Sequence, residues 1–221
     1  MRHQLLVLAA PVVIGLSAPA RAEGPSPAPH GPSSDHFLSH EFQLRARSAE
    51  RPQVGVNFGL LQLALHGFNA AAEFRYKRLW LEYSHGQSLT LNHQPSLGMT
   101  GAERDAHLHM YVPYTTGFGV GLTLLDELWL GVEFKAHRYE VSAPGGDEIK
   151  YTTYSIGPVL GYKLFIWRGL HLNAYLRYWP NVATTLDGDQ VALQGPGGPI
   201  THKAHDFGLF ANASIGWAFD L

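Results

Sequence analysis

The stretch LGVEFKAHRYEV, residues 130–141, decides the fold because from Leu130 to His137 its side chains alternate strictly between apolar and polar or small. Leu130, Val132 and Phe134 share one parity, whereas Glu133 and Lys135 share the other. Successive side chains of a β-strand point to opposite faces, so the pattern predicts a strand with one apolar and one charged face. A soluble barrel would bury the apolar face, and a membrane barrel would turn it towards lipid.

The same period of two recurs from Gln53 to the end of the chain, with turn-forming residues between the alternating segments. No segment in this region has convincing helical periodicity. We therefore predict an all-β fold with eight strands, at approximately 53–64, 68–77, 79–89, 107–124, 127–141, 150–164, 169–181 and 204–221.

Composition narrows the class of protein. Charged residues make up 15% of the 221-residue chain, against about 25% in an ordinary soluble protein. A formal net charge of −2 gives no basic surface for nucleic acid, so we exclude that partner. The absence of cysteine excludes disulfides and thiolate metal ligands.

Two segments precede the first predicted strand. Residues 1–22 contain a basic start, an apolar run and the small-residue motif Ala20-Arg21-Ala22, which together predict a cleaved signal peptide. A permanent membrane anchor is the weaker alternative, because Pro11 interrupts the apolar run. Residues 23–36 are rich in Pro, Ser and Gly, and we interpret residues 23–52 as a flexible periplasmic leader. Within it, residues 37–52 have some apolar alternation and could form a short helix, a plug or part of a strand.

The polar faces of the strands do not look like water-exposed surfaces. They carry small residues where a soluble protein would carry Lys and Glu. Such residues suit a crowded interior, with room for Arg75, Lys135, Arg177 and Trp179 to reach across. The small residues on these faces are Thr115, Gly117, Gly119, Gly121, Thr123, Thr153, Ser155, Gly157 and Gly161.

The connections between strands also favour a membrane barrel. Tight turns near Arg78, Asp126 and Ile166 alternate with longer connections at 90–106, 142–149 and 182–203, as in outer-membrane barrels. The first hairpin, near His66, is an exception and looks short. Aromatic residues gather near both ends and predict two interfacial girdles: Tyr76, Trp80, Trp129, Tyr162, Phe165 and Trp167 near the tight turns, and Tyr111, Tyr114, Tyr139, Tyr154, Tyr178 and Trp179 near the long loops.

The C-terminal stretch LFANASIGWAFDL, residues 209–221, keeps its apolar residues on one face up to the last position. It resembles the closing strand of bacterial outer-membrane barrels, although those usually end in Phe and this chain ends in Leu221, with Phe219 two residues earlier. Residues 53–221 as a whole resemble the small eight-stranded barrels, the class of OmpA's membrane domain, OmpX and OmpW. The resemblance implies an antiparallel up-and-down transmembrane β-barrel in the cell outer membrane, inserted by the barrel assembly machinery through its C-terminal strand.

Charged residues on the polar faces predict a charge network in the lumen. An Arg or Lys facing lipid at mid-membrane costs about 2–4 kcal/mol, so these side chains should point inward and pair. The pairs could form a static polar core or a gate that exchanges partners to pass a small solute. The predicted network comprises Glu73, Arg75, Lys77, Glu82, Glu133, Lys135 and Arg177. Pro158 lacks a backbone donor, so we expect irregular pairing there.

Two further constellations carry possible chemistry. His107 and His109 share the inward parity of their strand and His137 that of the next, so a zinc or copper site is one hypothesis and a polar rim is the other. Some small barrels edit lipid A with Ser and His at the outer rim. Here Ser84 and His85 are neighbours on a strand and should point to opposite faces, and Ser88 also differs in parity from His85 unless the strand has ended.

Three functions follow in order of preference. The first is a non-enzymatic protein of the outer membrane that needs no cofactor, contacts outer-membrane lipids and does structural, binding or adhesive work through its loops. The second is a narrow channel for small solutes, as in OmpW, and the third is a lipid A-modifying enzyme. The sequence does not identify a ligand of the loops.

Overall fold

A computed structural model describes residues 51–92, 99–195 and 197–221. The predicted signal peptide, and all but the last two residues of the predicted leader, lie outside these ranges.

Eight strands form a closed antiparallel barrel, as the sequence predicts. Each strand pairs with the next along the chain, and the last pairs with the first, from Gln53 opposite Asp220 to Gly59 opposite Ser214. The barrel strands are β1 Gln53–Gly59, β2 Phe68–Tyr76, β3 Leu79–Thr90, β4 His109–Thr123, β5 Leu128–Ser142, β6 Glu148–Trp167, β7 Leu170–Trp179 and β11 Gly208–Asp220.

The first strand is shorter than predicted. Strand β1 ends at Gly59, and Leu60–Ala64 form a short helix, α1. Alternation stops at Leu60 and Leu61, two consecutive apolar residues, which fit a helical turn better than a strand. Residues 60–67 therefore form a connection of their own, and the first hairpin is no longer an exception to the alternation of turn and loop lengths.

The β7–β11 connection contains further structure. Strand β8, Asn181–Thr184, continues beyond Pro180 and pairs with β6, and β9, Gln190–Gly195, forms a hairpin with β10, Gly198–Lys203. Along the edge of β6 that faces away from β5, β6 pairs with β8 up to Ser155 and with β7 from Val159 onward. The ladder is thus interrupted around Pro158, which confirms the irregular pairing expected there.

The barrel wall is taller on one side than on the other. Strand β6 has 20 residues and β5 has 15, whereas β1 has 7. At about 3.3 Å per residue, β6 is roughly 40 Å longer than β1. Most of the extra length of β4, β5 and β6 lies at the end of the barrel that carries the long connections.

The apolar faces point outward. Leu130, Val132 and Phe134 are 46%, 47% and 37% exposed, whereas Glu133 and Lys135 are 0% and 2% exposed. Residues 130–141 thus have the orientation predicted for a membrane barrel, opposite to that of a soluble one. The same holds on the other barrel strands, where exposed apolar residues include Val56, Leu81, Phe118, Val120, Ile156, Leu160, Leu172, Leu176 and Ile215.

Both ends of the described chain and the tight turns lie at one end of the barrel. The short turns join β2 to β3, β4 to β5 and β6 to β7, and the other connections lie at the opposite end. The second helix, α2 (Gly101–Asp105), belongs to the β3–β4 connection at that opposite end. None of the helices in the described ranges is long and apolar enough to cross a membrane.

Candidate functional site

This barrel is a transmembrane barrel of the outer-membrane type, because its sheet is closed, its exterior is apolar and its ionic side chains are buried in the lumen. The tight-turn end is periplasmic and the long-loop end is extracellular. The candidate sites are therefore the lumen and the extracellular loops.

One ionic cluster fills the periplasmic half of the lumen. The Glu73 carboxylate accepts hydrogen bonds from Arg75 Nε at 2.8 Å and Trp80 Nε1 at 3.2 Å, and it also contacts Lys163 Nζ. All four side chains are buried. We call these residues the inner cluster. It contains one carboxylate and two cations.

A second ionic cluster lies nearer the extracellular end. Arg177 donates to both oxygens of Glu133, at 3.0 and 3.1 Å, and lies 3.5 Å from a carboxylate oxygen of Glu82. Lys135 Nζ is 3.7 Å from Glu133, and Trp179 Nε1 donates to Glu133 at 2.8 Å. We call Glu82, Glu133, Lys135 and Arg177 the outer cluster. It balances two carboxylates with two cations.

Six of the seven predicted network residues lie in the lumen, and Lys77 does not. Lys77 is exposed in the β2–β3 turn with a φ of 52°. The alternation that predicted its inward position ends with β2 at Tyr76, so parity no longer applies to it. Lys163 was not predicted, although it has the same parity as Ser155 and Gly161 on β6 and was therefore detectable.

Two stacked indoles lie in the lumen beside the inner cluster. The ring centroids of Trp80 and Trp129 are 3.8 Å apart, and Tyr175 packs edge-on against Trp129. Not every ring of the predicted periplasmic girdle needs to face lipid, and these two tryptophans, which are fully buried, do not. Their parity already matched that of the inward residues Glu82 and Gly131, and proximity to a turn was the weaker signal.

The small residues of the lumen create the space for this stack. A Cβ atom on Gly161 would lie 2.1 Å from the Trp129 ring, and one on Gly119 would lie 2.6 Å from the Trp80 ring. Replacing Gly161 with alanine should therefore force the Trp129 ring to move. We expect a loss of about 1–3 kcal/mol in the free energy of unfolding, together with a weaker near-ultraviolet circular dichroism signal from the stacked pair.

The control for this prediction is Gly101→Ala, because a Cβ atom at Gly101 has no neighbour within 4 Å. An unchanged dichroism spectrum for Gly161→Ala would contradict the close packing of Gly161 against the indole.

The predicted metal site is not formed. His107 and His109 are exposed, and Leu108 and Met110 occupy the inward positions instead. His107 precedes β4, which begins at His109, and has a φ of 56°, so strand parity does not apply to it. His109 is turned outward by a β-bulge: between Tyr111 and Tyr114, β4 advances three residues while β5 advances two. One extra residue in a strand turns the side chains of the preceding strand residues to the opposite face.

His137 does lie inside the barrel, but it is separated from the other two histidines. Its Nδ1 is 2.7 Å from the Thr115 hydroxyl, and its ring packs against Phe207 and Trp179. No group of three or more His, Cys, Asp or Glu side chains in residues 51–92, 99–195 and 197–221 could hold a metal ion. His137 is a packed polar residue of the lumen.

The rim residues weighed for lipid A chemistry do not converge either. Ser84 is buried and its hydroxyl accepts a hydrogen bond from Lys135 Nζ. His85 lies on the opposite parity and stacks with Tyr114, whereas Ser88, with a φ of 61°, contacts the Tyr111 hydroxyl at 3.3 Å. Neither serine is hydrogen-bonded to His85 in the described structure.

The extracellular connections fold over the barrel and share an apolar core. We call residues 60–67, 87–92, 99–112, 139–151, 182–195 and 197–207 the extracellular cap. Buried residues from all of its segments pack together, so the loops form one folded unit. The core comprises Leu65, Leu89, Leu91, Met99, Leu108, Met110, Val112, Tyr139, Val141, Ala143, Tyr151 and Leu193.

A buried polar network joins three connections of the cap. His202 on β10 lies with Nδ1 2.6 Å from Glu103 on α2 and with Nε2 2.9 Å from the Tyr151 hydroxyl on β6. Glu103 also accepts hydrogen bonds from the backbone N–H and hydroxyl of Thr100, and its own backbone N–H donates to the Thr100 hydroxyl, which completes a capping box at the start of α2. Burial alone would raise the pKa of Glu103, but the hydrogen bonds from His202 and Thr100 outweigh it and lower that pKa.

The lowered pKa predicts that acid loosens the cap. A carboxyl group with a depressed folded-state pKa contributes stability above its ordinary pKa of about 4.3 and loses it as the pH falls below that value. We expect the amides of β10 to exchange hydrogen faster at pH 3 than at pH 6, after correction for intrinsic rates. This acid-dependent step should be absent in Glu103→Gln, and an equal step in that variant would contradict the assignment.

Comparisons with known proteins give remote similarities only. No protein-family model and no curated protein matches this chain. Among solved structures, Neisserial surface protein A is 13% identical over 77% of this chain and 97% of its own, with a TM-score of 0.43. A major outer membrane protein from Thermus thermophilus is 12% identical over 76% and 99%, with a TM-score of 0.41. Similarities this remote do not indicate a function.

Proposed function

We propose that this protein is a closed, non-enzymatic outer-membrane barrel whose extracellular cap does structural, binding or adhesive work at the cell surface. The observation that carries the proposal is the filling of the lumen. From the periplasmic side inward, the barrel contains the inner cluster, the Trp80–Trp129 stack, the outer cluster and the core of the cap.

Two features of the cap support a role in binding. Its shared apolar core holds several connections in fixed positions, and pre-ordered loops lose less entropy when they bind a partner than flexible ones do. The Glu103–His202 pair adds a buried link between the β3–β4 connection and the β9–β10 hairpin. The apolar exterior would contact outer-membrane lipids, and the C-terminal strand would be recognised by the barrel assembly machinery.

Planar-bilayer recordings test the closed lumen. We expect the folded protein to give no reproducible conductance steps, because side chains obstruct the barrel at several levels. A variant with Trp80 and Trp129 both replaced by alanine serves as the positive comparison, since it removes one obstruction. Regular conductance from the wild-type protein would contradict the proposal.

Whole-cell binding tests the role of the cap. Cells that express the protein should bind at least one of a panel of glycans, matrix proteins and cultured cells, and cells that express a variant with residues 188–205 replaced by a Gly/Ser linker should lose that binding. Heat-dependent gel migration would check that the variant barrel still folds. Equal binding by the two strains would argue against the adhesive role.

One observation favours a narrow channel as the second candidate. Arg177 lies between Glu133 and Glu82, with its closest approaches at 3.0 and 3.5 Å. A cation placed between two carboxylates can exchange partners, which is the movement that a gate requires. This candidate predicts a conductance that Arg177→Gln abolishes or leaves permanently open, whereas the closed barrel predicts none in either protein.

A further inference from the structure

A cavity of about 330 Å³ opens at the periplasmic mouth of the barrel. Its volume is at the lower end of the range for small-molecule sites, about 300–1,000 Å³. The inner-cluster cations Arg75 and Lys163 lie on its wall, together with Phe165. The other lining residues are Arg51, Gln53, Lys77, Arg78, Thr123, Leu124, Leu125, Asp126 and Glu127.

The charges around this cavity are unbalanced. Five basic and two acidic side chains line it. Adding the Glu73 carboxylate, which contacts both Arg75 and Lys163, still leaves an excess of two positive charges. The outer cluster, by contrast, contains equal numbers of carboxylates and cations.

Two of the cations that contribute to the excess positive charge are buried. Arg75 and Lys163 are 9% and 0% exposed, and they share one carboxylate. A buried cation is costly unless an anion compensates it. Arg75 binds Glu73 through Nε and Nη2, so the Nη1 side of its guanidinium is not used by that carboxylate. A guanidinium edge of this kind suits carboxylate and phosphate oxygens.

We propose that the periplasmic mouth is a binding site for a small oxyanion, a carboxylate or phosphate group, held between Arg75, Lys163 and the basic rim. The rim residues Arg51, Lys77 and Arg78 attract the anion from the periplasm, and the buried pair contacts it. The site is closed on its inner side by the Trp80–Trp129 stack, so it binds a solute rather than passing it through. It does not depend on what the extracellular cap does.

Calorimetric titration of the folded protein in detergent micelles tests the site. The probes are inorganic phosphate and acetate, each added at fixed ionic strength, and the comparison between them shows which oxyanion is preferred. Because the Arg75 guanidinium lies 5.8 Å from the centre of the Trp129 ring, binding should also change tryptophan fluorescence. We expect saturable binding of at least one probe with a stoichiometry near one.

Two variants and one control separate the site from general charge attraction. Lys163→Met leaves Glu73 and Arg75 as a balanced pair and should weaken binding at least tenfold. Arg78→Gln at the exposed rim should weaken it several-fold without affecting folding. Arg168→Gln removes a charge at the same end of the barrel but outside the cavity, and it should leave the affinity unchanged. Absence of saturable binding in the wild type, or equal weakening by all three substitutions, would overturn the proposal.

Discussion

Replacing Glu133 with glutamine should lower the free energy of unfolding by about 3–5 kcal/mol, the cost of leaving buried cations without their anion. Glu133 is completely buried and accepts hydrogen bonds from Arg177 and Trp179 while pairing with Lys135. Glutamine keeps the shape of the side chain but removes its charge. Only Glu82, 3.5 Å from Arg177, would then remain to offset two cations.

The measurement is urea unfolding of the protein refolded in lipid vesicles, followed by tryptophan fluorescence. Glu140→Gln is the matched control, because Glu140 lies on the same strand, faces outward and pairs with the half-exposed Lys150 at 3.2 Å. That pair should contribute less than about 1 kcal/mol. If both variants lost similar stability, the outer cluster would not be a buried, interdependent network.

Substituting arginine for Val132 should destabilise the barrel by about 2–4 kcal/mol, because the new charge would face the middle of the bilayer. Val132 is 47% exposed on the outer wall, beside Val120 on β4 and Pro158 on β6. Its side chain therefore has lipid on one side and backbone on the other. Vesicle unfolding curves would give the size of the loss.

Ser142→Arg provides the comparison at the end of the same strand. Ser142 has the same outward parity as Val132 but lies beyond the apolar band, opposite Glu148. Charged substitutions near the interface cost about 0–1 kcal/mol. If arginine at Val132 were tolerated as well as at Ser142, the outer wall would not be in contact with hydrocarbon.

The fold was predictable because one local rule governs most of it. A period of two fixes the facing of every residue in a regular strand, and turn residues fix where the strands end. This is enough to place Glu133 and Lys135 inside and Phe134 outside, and to find all eight barrel strands. The high energetic cost of placing charges in lipid then predicted that the charged faces point inward and the apolar faces point outward.

The candidate sites were less predictable because they depend on departures from that rule and on distant pairs. The bulge at Tyr111–Tyr114 reversed the expected facing of His109, and His107 lies before the strand begins. The sequence has no unique signal for an extra residue in a strand. The contacts Lys163–Glu73 and His202–Glu103 join residues 90 and 99 positions apart. Parity identifies inward residues, but it does not say which of them meet.

Because the wall is taller at β4 to β6 than at β1 and β2, the barrel presents two different sides to its neighbours in the plane of the membrane. We expect the extracellular ends of β4 to β6 to rise above the lipid surface, because their outer face there carries Arg138, Glu140, Glu148 and Lys150. A neighbouring membrane protein that approaches from this side meets a polar sheet as well as lipid-facing side chains. A protein that approaches from the side of β1 and β2 meets a much shorter wall. Lateral encounters with this barrel should therefore depend on direction.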